Sequence, residues 1–186
     1  MYTTMDLLDF AMIRRSSFPQ DAEAILSIDT SFTTDVVYRV EVDANGFRLL
    51  LQSEIVFKRY PVDIEELVQL SDNHLVLVAS TGTQTVGFAA AEFVAWNSRA
   101  ILHHLYIDAA QRKQGVGKRL VAEVVQWAAT TPARCLWLET QNTNVPAIEF
   151  YESLGFSLCG FDTTLYTPEG ANATEVALFY SFSICR

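Results

Sequence analysis

The chain has 186 residues and a mass of 20.8 kDa, the length of one ordinary domain with room for an added arm. Half of its residues are hydrophobic and 12% are aromatic, so the composition excludes intrinsic disorder and supports a sizeable core. The formal net charge of -9 disfavours nucleic acid as a partner, whereas it suits a cationic small molecule or a basic peptide.

Cysteine usage and the first residues indicate the expected compartment. The three cysteines form neither a CxxC pair nor a Cys/His cluster, which predicts no disulfide framework and no metal site. The opening segment, MYTTMDLLDFAMIRRSSF, has its basic pair after the apolar stretch and does not resemble a signal peptide. Apolar runs such as residues 86–96 are shorter than the roughly 20 residues of a membrane span. We therefore expect a soluble cytoplasmic protein without a membrane segment.

The first part of the chain predicts a strand, a short helix, a β-hairpin and a second short helix. These elements are expected at residues 5–14, from Phe18-Pro19-Gln20-Asp21 to about Phe32, at 36–42 with 47–55, and at 62–71. The hairpin prediction depends on Asp43-Ala44-Asn45-Gly46, because Asn-Gly readily adopts the positive φ of a tight turn. We expect this hairpin, at about 34–56, to be an extra N-terminal arm.

From residue 74 onward the pattern predicts a sheet with crossover helices. Strands are expected at 74–80, 86–96, 100–108, 133–141, 156–162 and 174–182, with helices after the glycines near 115 and at 145–155. The first three strands are separated by Thr-Gly and Asn-Ser turns, which predicts an antiparallel meander. Strands that flank crossover helices indicate a mixed α/β sheet.

A glycine-containing loop stands between a predicted strand and a helix. Gly115 and Gly117 can bring backbone N–H groups toward an anion, and the basic residues around them are Arg112, Lys113, Lys118 and Arg119. A Rossmann fingerprint would need a glycine at Leu120, and a Walker loop would need Ser or Thr at Arg119, so neither nucleotide motif is present. The alternative is a solvated basic helix start with glycines for a tight turn.

Two segments resemble motifs of the GNAT N-acetyltransferase family. LYIDAAQRKQGVGKRL resembles the acetyl coenzyme A (acetyl-CoA) signature R/Q-x-x-G-x-G/A, and NVPAIEFYESLGF resembles the second motif of the family. From about residue 30 the chain is also similar to streptothricin acetyltransferases, including Trp96-Asn97 and the closing TEVALFYSF. The resemblance implies one GNAT domain over residues 1–186, with a mostly antiparallel mixed sheet, helices on both faces, and splayed fourth and fifth strands.

The same resemblance implies acetyl-CoA as co-substrate and a set of residues that would bind it. They are Leu105, Ile107, Arg112, Lys113, Gln114, Gly115, Val116, Gly117, Lys118 and Asn144. Leu105 and Ile107 would offer backbone N–H groups where the two strands separate; the alternative is a fully paired core strand. Asn144 precedes a helix with Pro146 in its first turn, so it is also an expected N-cap, and the two roles are compatible.

Transfer to an amine needs an acid for the departing thiolate and a base for the amine proton. Tyr151 matches the family tyrosine that protonates the thiolate; its alternative role is packing on a helix face. His103 occupies the strand position where relatives carry a glutamate, and a structural histidine is its alternative. His104 is expected on the opposite face of that strand. Glu92 and Glu139 are further candidates for the base or for a substrate cation, ranked below His103.

The resemblance implies an acetyl-CoA-dependent N-acetyltransferase for a primary amine of a cationic small molecule. Streptothricin, acetylated on its β-lysine amine in antibiotic resistance, is the precedent within the family. One alternative is a protein or peptide N-acetyltransferase, because the fold does not fix the acceptor. Another is a non-enzymatic regulator that binds acyl-CoA, against which the presence of Tyr151 argues. The resemblance is also compatible with a homodimer.

Overall fold

A seven-stranded sheet forms the centre of the computed structural model, which describes residues 11–44, 46–70, 74–167 and 174–184. The strands are β1 (Met12–Arg15), β2 (Phe32–Asp43), β3 (Gly46–Lys58), β4 (His74–Thr81), β5 (Gln84–Val94), β6 (Arg99–Ile107), β7 (Cys135–Gln141), β8 (Ser157–Asp162) and β9 (Ala177–Ser183). The helices are α1 (Ala22–Leu26), α2 (Ile64–Leu70), α3 (Val116–Ala129) and α4 (Val145–Ser153), with 3₁₀ turns at Ala95–Asn97 and Ala109–Gln111. None of the described helices is long and apolar enough to cross a membrane.

The sheet has the order β1-β4-β5-β6-β7-β9-β8. Among the described strand pairs, β6 and β7 are parallel and the others are antiparallel. A parallel pair needs a crossover connection, and α3 supplies it between β6 and β7. The predicted meander and the predicted mixed, mostly antiparallel α/β sheet are therefore confirmed.

Helices cover both faces of the sheet, and each face has its own apolar core. On one face, Leu120 and Val124 of α3 pack with strand residues such as Ala89. On the other face, Ile25 and Leu67, from the α1 and α2 side, pack with strand residues that include Phe88. The alternation of β5 explains this division, because successive side chains of a strand point to opposite faces.

The β2–β3 hairpin is a separate two-stranded sheet, as the Asn-Gly turn predicts, although Asn45 lies outside the described residues. Both strands are longer than the predicted 36–42 and 47–55. The buried side chain of Asn142 attaches the hairpin to the end of β7. Its Nδ2 donates to the carbonyl oxygen of Tyr38 (2.6 Å), and its Oδ1 accepts from the N–H of Val176 (2.8 Å).

Two predictions near the N-terminus differ from the structure. The predicted short helix is present, but its predicted end at about Phe32 is wrong, because α1 ends at Leu26 and Phe32 begins β2. The ring of Phe32 stacks on Tyr60 at 5.9 Å between centroids, a long-range contact that holds this residue in the hairpin. The predicted first strand covers residues 5–14, of which 5–10 lie outside the described residues, and β1 is shorter. Ser71, the last residue of the predicted 62–71 helix, also lies outside them.

The parallel strands β6 and β7 separate part of the way along their length. Their pairing begins at Arg99 with Cys135 and ends at Leu102 with Leu138. Beyond that point β6 continues to Ile107 and β7 to Gln141. The expected splay is therefore confirmed, and we call the space between the two separated ends the opening.

Candidate active site

The backbone of β6 provides hydrogen-bonding groups at the opening. The N–H of Asp108 donates to the carbonyl oxygen of Val86 on β5 (2.9 Å). Because alternate residues of a strand direct their backbone groups to opposite edges, Ile107 and Leu105 direct theirs toward the side of β7. Both lie beyond the last β6–β7 pair, at Leu102. The alternative of a fully paired core strand at these positions is therefore wrong.

The glycine loop ends at the N-terminus of α3. Lys113 and Gly115 have φ values of 63° and 84°, and Gly115 is the N-cap. The N–H of Arg119 donates to the carbonyl oxygen of Gly115 (3.1 Å). The N–H groups of the residues before Arg119 in the first turn, from Val116 to Lys118, therefore have no preceding helical carbonyl, and this end of the helix attracts anions.

The side chains of the loop differ in their environments. Arg112 is held against the backbone, since its Nε donates to the carbonyl oxygen of Ile107 (3.0 Å) and its Nη2 to that of Asp29 (3.3 Å). Burial lowers the pKa of Arg112. Lys113 and Lys118 are exposed beside the helix start. Free N–H groups flanked by exposed ammonium groups fit a phosphorylated ligand such as coenzyme A.

Three further loop residues have defined surroundings. A Cβ atom built on Gly117 would lie 3.2 Å from Cζ of Phe150 on α4, so this glycine allows α3 and α4 to pack closely. Gln114 is exposed and its Nε2 donates to the carbonyl oxygen of Ala110 (3.3 Å). Val116 is buried under the helix start.

Tyr151 lies on α4 with 8% of its surface exposed. Its ring contacts Phe150 and Phe156 at centroid distances of 5.4 and 5.6 Å. No described residue makes a hydrogen bond to its hydroxyl. Burial raises the pKa of Tyr151, and nearby Tyr106 and Glu139 raise it further. The hydroxyl therefore stays protonated at neutral pH, in the electrostatic range of the groups at the opening.

Asn144 caps α4, as predicted. Its Oδ1 accepts a hydrogen bond from the N–H of Ala147 (3.2 Å), which satisfies one donor of the first helical turn. Its Nδ2 donates to the hydroxyl of Tyr60 (3.3 Å). The helix that carries Tyr151 is thus linked at its start to an aromatic side chain near the opening.

His103 is the extra residue of a β-bulge in β6. Ala90 pairs with His104 and Ala91 pairs with Leu102, so His103 has no partner of its own on β5. Its Nε2 lies 3.0 Å from Oε2 of Glu92. Glu92 also lies 3.2 Å from Nε2 of His74. Burial would raise the pKa of Glu92, but its hydrogen bonds to the two histidines lower it overall.

The prediction that His104 points to the other face of β6 is wrong. Because the bulge inserts one residue, the alternation of side chains is interrupted, and the rings of His103 and His104 lie 6.5 Å apart on one face. Nε2 of His104 lies 3.7 Å from Oε2 of Glu66, too far for a hydrogen bond. Burial lowers the pKa of His104, against the influence of Glu66.

Four polar side chains form a hydrogen-bonded chain with Glu139, the first residue of β7 beyond its pairing with β6. The hydroxyl of Tyr166 donates to Oε1 of Glu139 and accepts from Nε2 of Gln141 (2.9 Å). Oε1 of Gln141 accepts from the hydroxyl of Tyr60, which is bonded to Asn144. This network runs along the opening from β7 to the start of α4.

Aromatic rings and charges surround Glu139. The rings of Tyr60 and Tyr106 are 5.8 Å apart. Burial raises the pKa of Tyr106 to about 12, with contributions from Glu139 and Glu66. Burial also raises the pKa of Glu139, while the hydrogen bond from Tyr166 lowers it. A partly buried carboxylate among tyrosine rings can hold an organic cation.

Sequence reasoning missed Tyr60, Tyr106, Gln141 and Tyr166. Tyr60 follows β3, Tyr106 is on β6 and Tyr166 follows β8, so only tertiary packing brings them together. The sole usable signal was the alternation of β7, which places Gln141 on the same face as Glu139. Trp96, singled out from the sequence, is 87% exposed at the β5–β6 turn, beside the paired end of β6 and away from the opening.

A cleft with a volume of about 600 Å³ lies on the α2 side of the sheet. Its polar lining consists of Asp63, Glu65, Glu66 and His104, and its apolar lining includes Leu26 and Ile64. The ring of His104, which lines the cleft, lies 6.1 Å from that of Tyr106. The cleft therefore presents acidic side chains beside the rings of His104 and Tyr106.

Comparison with known proteins identifies the family. Residues 45–156, more than half of the chain, match the model of the acetyltransferase (GNAT) family. The chain is 35% identical to streptothricin acetyltransferase from Streptomyces lavendulae over 176 residues, which cover 90% of this chain and 92% of that protein. The chain therefore belongs to the GNAT family of acetyltransferases, enzymes that use acetyl-CoA as co-substrate.

Two solved structures are similar to the whole fold. A nourseothricin acetyltransferase superposes with a TM-score of 0.84 at 34% identity, covering 94% of this chain and 99% of that one. A Bacillus anthracis protein assigned as a streptothricin acetyltransferase, in complex with acetyl-CoA, gives 0.80 at 28% identity, covering 93% and 99%. The resemblance to streptothricin acetyltransferases, stated from the motifs, is therefore confirmed.

Proposed function

We propose that this enzyme transfers the acetyl group of acetyl-CoA to a primary amine of a cationic small molecule, with streptothricin or a β-lysine-bearing analogue as acceptor. The observation that carries the proposal is the opening between β6 and β7. It lies between the anion-attracting start of α3 and the partly buried carboxylate of Glu139 among tyrosines. Acetyl-CoA is an anion and the acceptor is a cation, so acetyl-CoA meets the positive start of α3 and the acceptor meets the carboxylate of Glu139.

The residues predicted for acetyl-CoA fit the two ends of that molecule. The first-turn N–H groups of α3, with Lys113 and Lys118, would bind its phosphates. The backbone N–H groups of Leu105 and Ile107 would bind its pantetheine arm and the acetyl oxygen as negative charge develops there. Arg112 would act indirectly, since its side chain already fixes the backbone of Ile107.

The proton transfers would use two of the predicted residues. The thioester supplies an activated acetyl group, and Tyr151 would donate a proton to the departing sulfur. His103 would accept the amine proton, directly or through water. Because Nε2 of His103 is bonded to Glu92, its Nδ1 remains to act as the acceptor, and Glu92 would orient the ring.

A side-by-side assay of acceptors tests the proposal. We expect kcat/KM for streptothricin to exceed the values for spermidine, kanamycin and a histone-tail peptide at equal acetyl-CoA. A cationic acceptor with an apolar spacer suits the carboxylate of Glu139 and the tyrosine rings around it. Faster turnover of spermidine or kanamycin would contradict streptothricin as the acceptor. The enzyme would then be an acetyltransferase for a different small molecule.

The same assay separates the two other functions compatible with this fold. Faster turnover of the peptide would favour a protein N-acetyltransferase. Binding of acetyl-CoA by calorimetry with no transfer to any acceptor would favour a non-enzymatic regulator. The hydroxyl of Tyr151 makes no hydrogen bond to a described residue, so its proton is available for transfer, which argues against the regulator.

A further inference from the structure

Tyr166 has an unusual position for a residue outside the helices and strands. It follows β8, is only partly exposed, and its hydroxyl lies between two residues of β7. It donates to Oε1 of Glu139 and accepts from Nε2 of Gln141 at 2.9 Å. Gln141 is fixed in turn by Tyr60. Because Gln141 uses its N–H to donate, the hydroxyl proton of Tyr166 must point to Glu139.

This hydrogen bond uses one oxygen of Glu139 and leaves the other available. No described residue donates to Oε2 of Glu139. A carboxylate with one oxygen fixed and one oxygen unused can accept a hydrogen bond from an ammonium group. The aromatic rings of Tyr60 and Tyr106 would contact the carbon chain of such a ligand.

The charge on Glu139 depends on groups from every element around it. The side chains that act on it electrostatically, or that it acts on, are Lys58, Tyr60, Tyr106, Tyr151, Tyr166 and Glu175. Burial and Glu175 favour the neutral acid, whereas Tyr166 and Lys58 favour the anion. Lys58 is itself bound to both oxygens of Glu175 (2.6 and 2.7 Å). Tyr166 is therefore the only described side chain that donates directly to Glu139.

We propose that Tyr166 is a positioning residue whose hydrogen bond keeps Glu139 anionic and oriented, so that the free oxygen of Glu139 anchors the ammonium group of the acceptor. This inference rests on the proposed function, and it assigns Glu139 to acceptor binding. The acceptor class is an amine that carries a positive charge. Its carbon chain must be long enough to lie along the rings of Tyr60 and Tyr106. Proton removal from the reacting amine remains with His103.

The test compares Tyr166→Phe with the matched control Tyr180→Phe. Tyr180 also donates to a glutamate, Glu152 on α4 (3.1 Å), so the control loses a Tyr–Glu hydrogen bond outside the network around Glu139. Two quantities are measured: the titration of the Glu139 carboxyl by ¹³C NMR, assigned with Glu139→Gln, and the pH dependence of kcat and kcat/KM for streptothricin.

We expect Tyr166→Phe to raise the pKa of Glu139 by about one unit, since a hydrogen bond to a charged group is lost. An anion is needed to bind the acceptor, so the acidic limb in the pH profile of 1/KM for the acceptor, obtained as the ratio of kcat/KM to kcat, should move to higher pH by a similar amount. The change should appear in KM for the acceptor, with kcat at saturation and acetyl-CoA affinity unchanged. Tyr180→Phe should leave both the titration and the limb in place.

Three results would overturn the inference. An unchanged Glu139 titration in Tyr166→Phe would show that Tyr166 does not control the charge. A shifted titration with an unchanged acidic limb would show that acceptor binding does not use that charge. A change in the pH profile of kcat alone, with KM for the acceptor unchanged in Tyr166→Phe, would assign Glu139 to proton transfer instead of to binding the ammonium group. If the wild type acetylates no amine, the proposed function fails, while the NMR titration still tests the pairing.

Discussion

At the scale of single residues, the proposed transfer depends on the proton of Tyr151. Its ring packs against Phe150 and Phe156, and burial raises its pKa, so the hydroxyl is protonated when the reaction begins. A group that gives its proton to a departing thiolate must be protonated at working pH and must not be bound elsewhere. Tyr151 satisfies both conditions among the described residues.

Replacing Tyr151 by Phe should therefore lower kcat by roughly 10²-fold, the smaller end of the range for a lost general acid. The ring packing is kept, so the melting temperature and the acetyl-CoA dissociation constant should stay close to those of the wild type. Steady-state kinetics, thermal unfolding and calorimetry check these points. Tyr38→Phe is the control, because it removes the same hydroxyl group from a tyrosine that lies on the hairpin. An unchanged kcat in Tyr151→Phe would exclude the acid role.

Single residues were also where sequence reasoning was least reliable. Asn144 was predicted correctly as a cap, because a cap depends on neighbours within a few positions. His104 was placed on the wrong face, because a β-bulge depends on pairing with β5 and leaves no mark in the alternation. Tyr60 and Tyr166 could not be foreseen, since their positions depend on contacts with residues 81 and 27 positions away.

At the scale of elements, the start of α3 and the loop before it are the proposed site for the phosphates of acetyl-CoA. The N-terminal N–H groups give this end a partial positive charge that extends over about one turn. Lys118 lies in that turn and is exposed, whereas Gln126 is exposed in a later turn of the same helix. The two positions allow the effect of charge at the helix start to be separated from a general effect of charge.

Lys118→Glu should weaken acetyl-CoA binding by about tenfold or more, because it removes a cation and adds an anion beside the phosphates. Gln126→Glu should leave the affinity within about twofold, since its charge lies beyond the first turn. Isothermal calorimetry at low salt measures both. Equal affinities for the two variants would contradict the assignment of the phosphates to this loop. Neither exposed side chain supports the core, so both variants should remain folded.

The elements themselves were largely predictable from periodicity. The meander β4–β5–β6 and the apolar stripe of α3 follow local patterns that survive in the structure. The end of α1 differs from the prediction, since the helix ends at Leu26 and Phe32 lies in β2, where its ring stacks on Tyr60. The splay of β6 from β7 was predicted only through the resemblance to the family, since neither strand has a break in its sequence pattern.

At the scale of the whole molecule, charge is divided between the two sides of the opening. The excess of acidic residues gives a net charge of -9, yet the start of α3 carries exposed lysines. On the other side, Asp63, Glu65 and Glu66 line the cleft beside α2. The net charge alone predicted a cationic partner. It could not predict this division, which arises because α2 and α3 cover opposite faces of the sheet.

The most direct test of the central claim follows the acetyl group itself. Wild-type protein is incubated with acetyl-CoA labelled with ¹³C at the acetyl carbonyl and with streptothricin, and the products are examined by NMR and mass spectrometry. We expect the label to appear as an amide on the β-lysine amine, with one free coenzyme A thiol released for each amide formed. Label that stays on coenzyme A, or that appears only as free acetate, would contradict that claim.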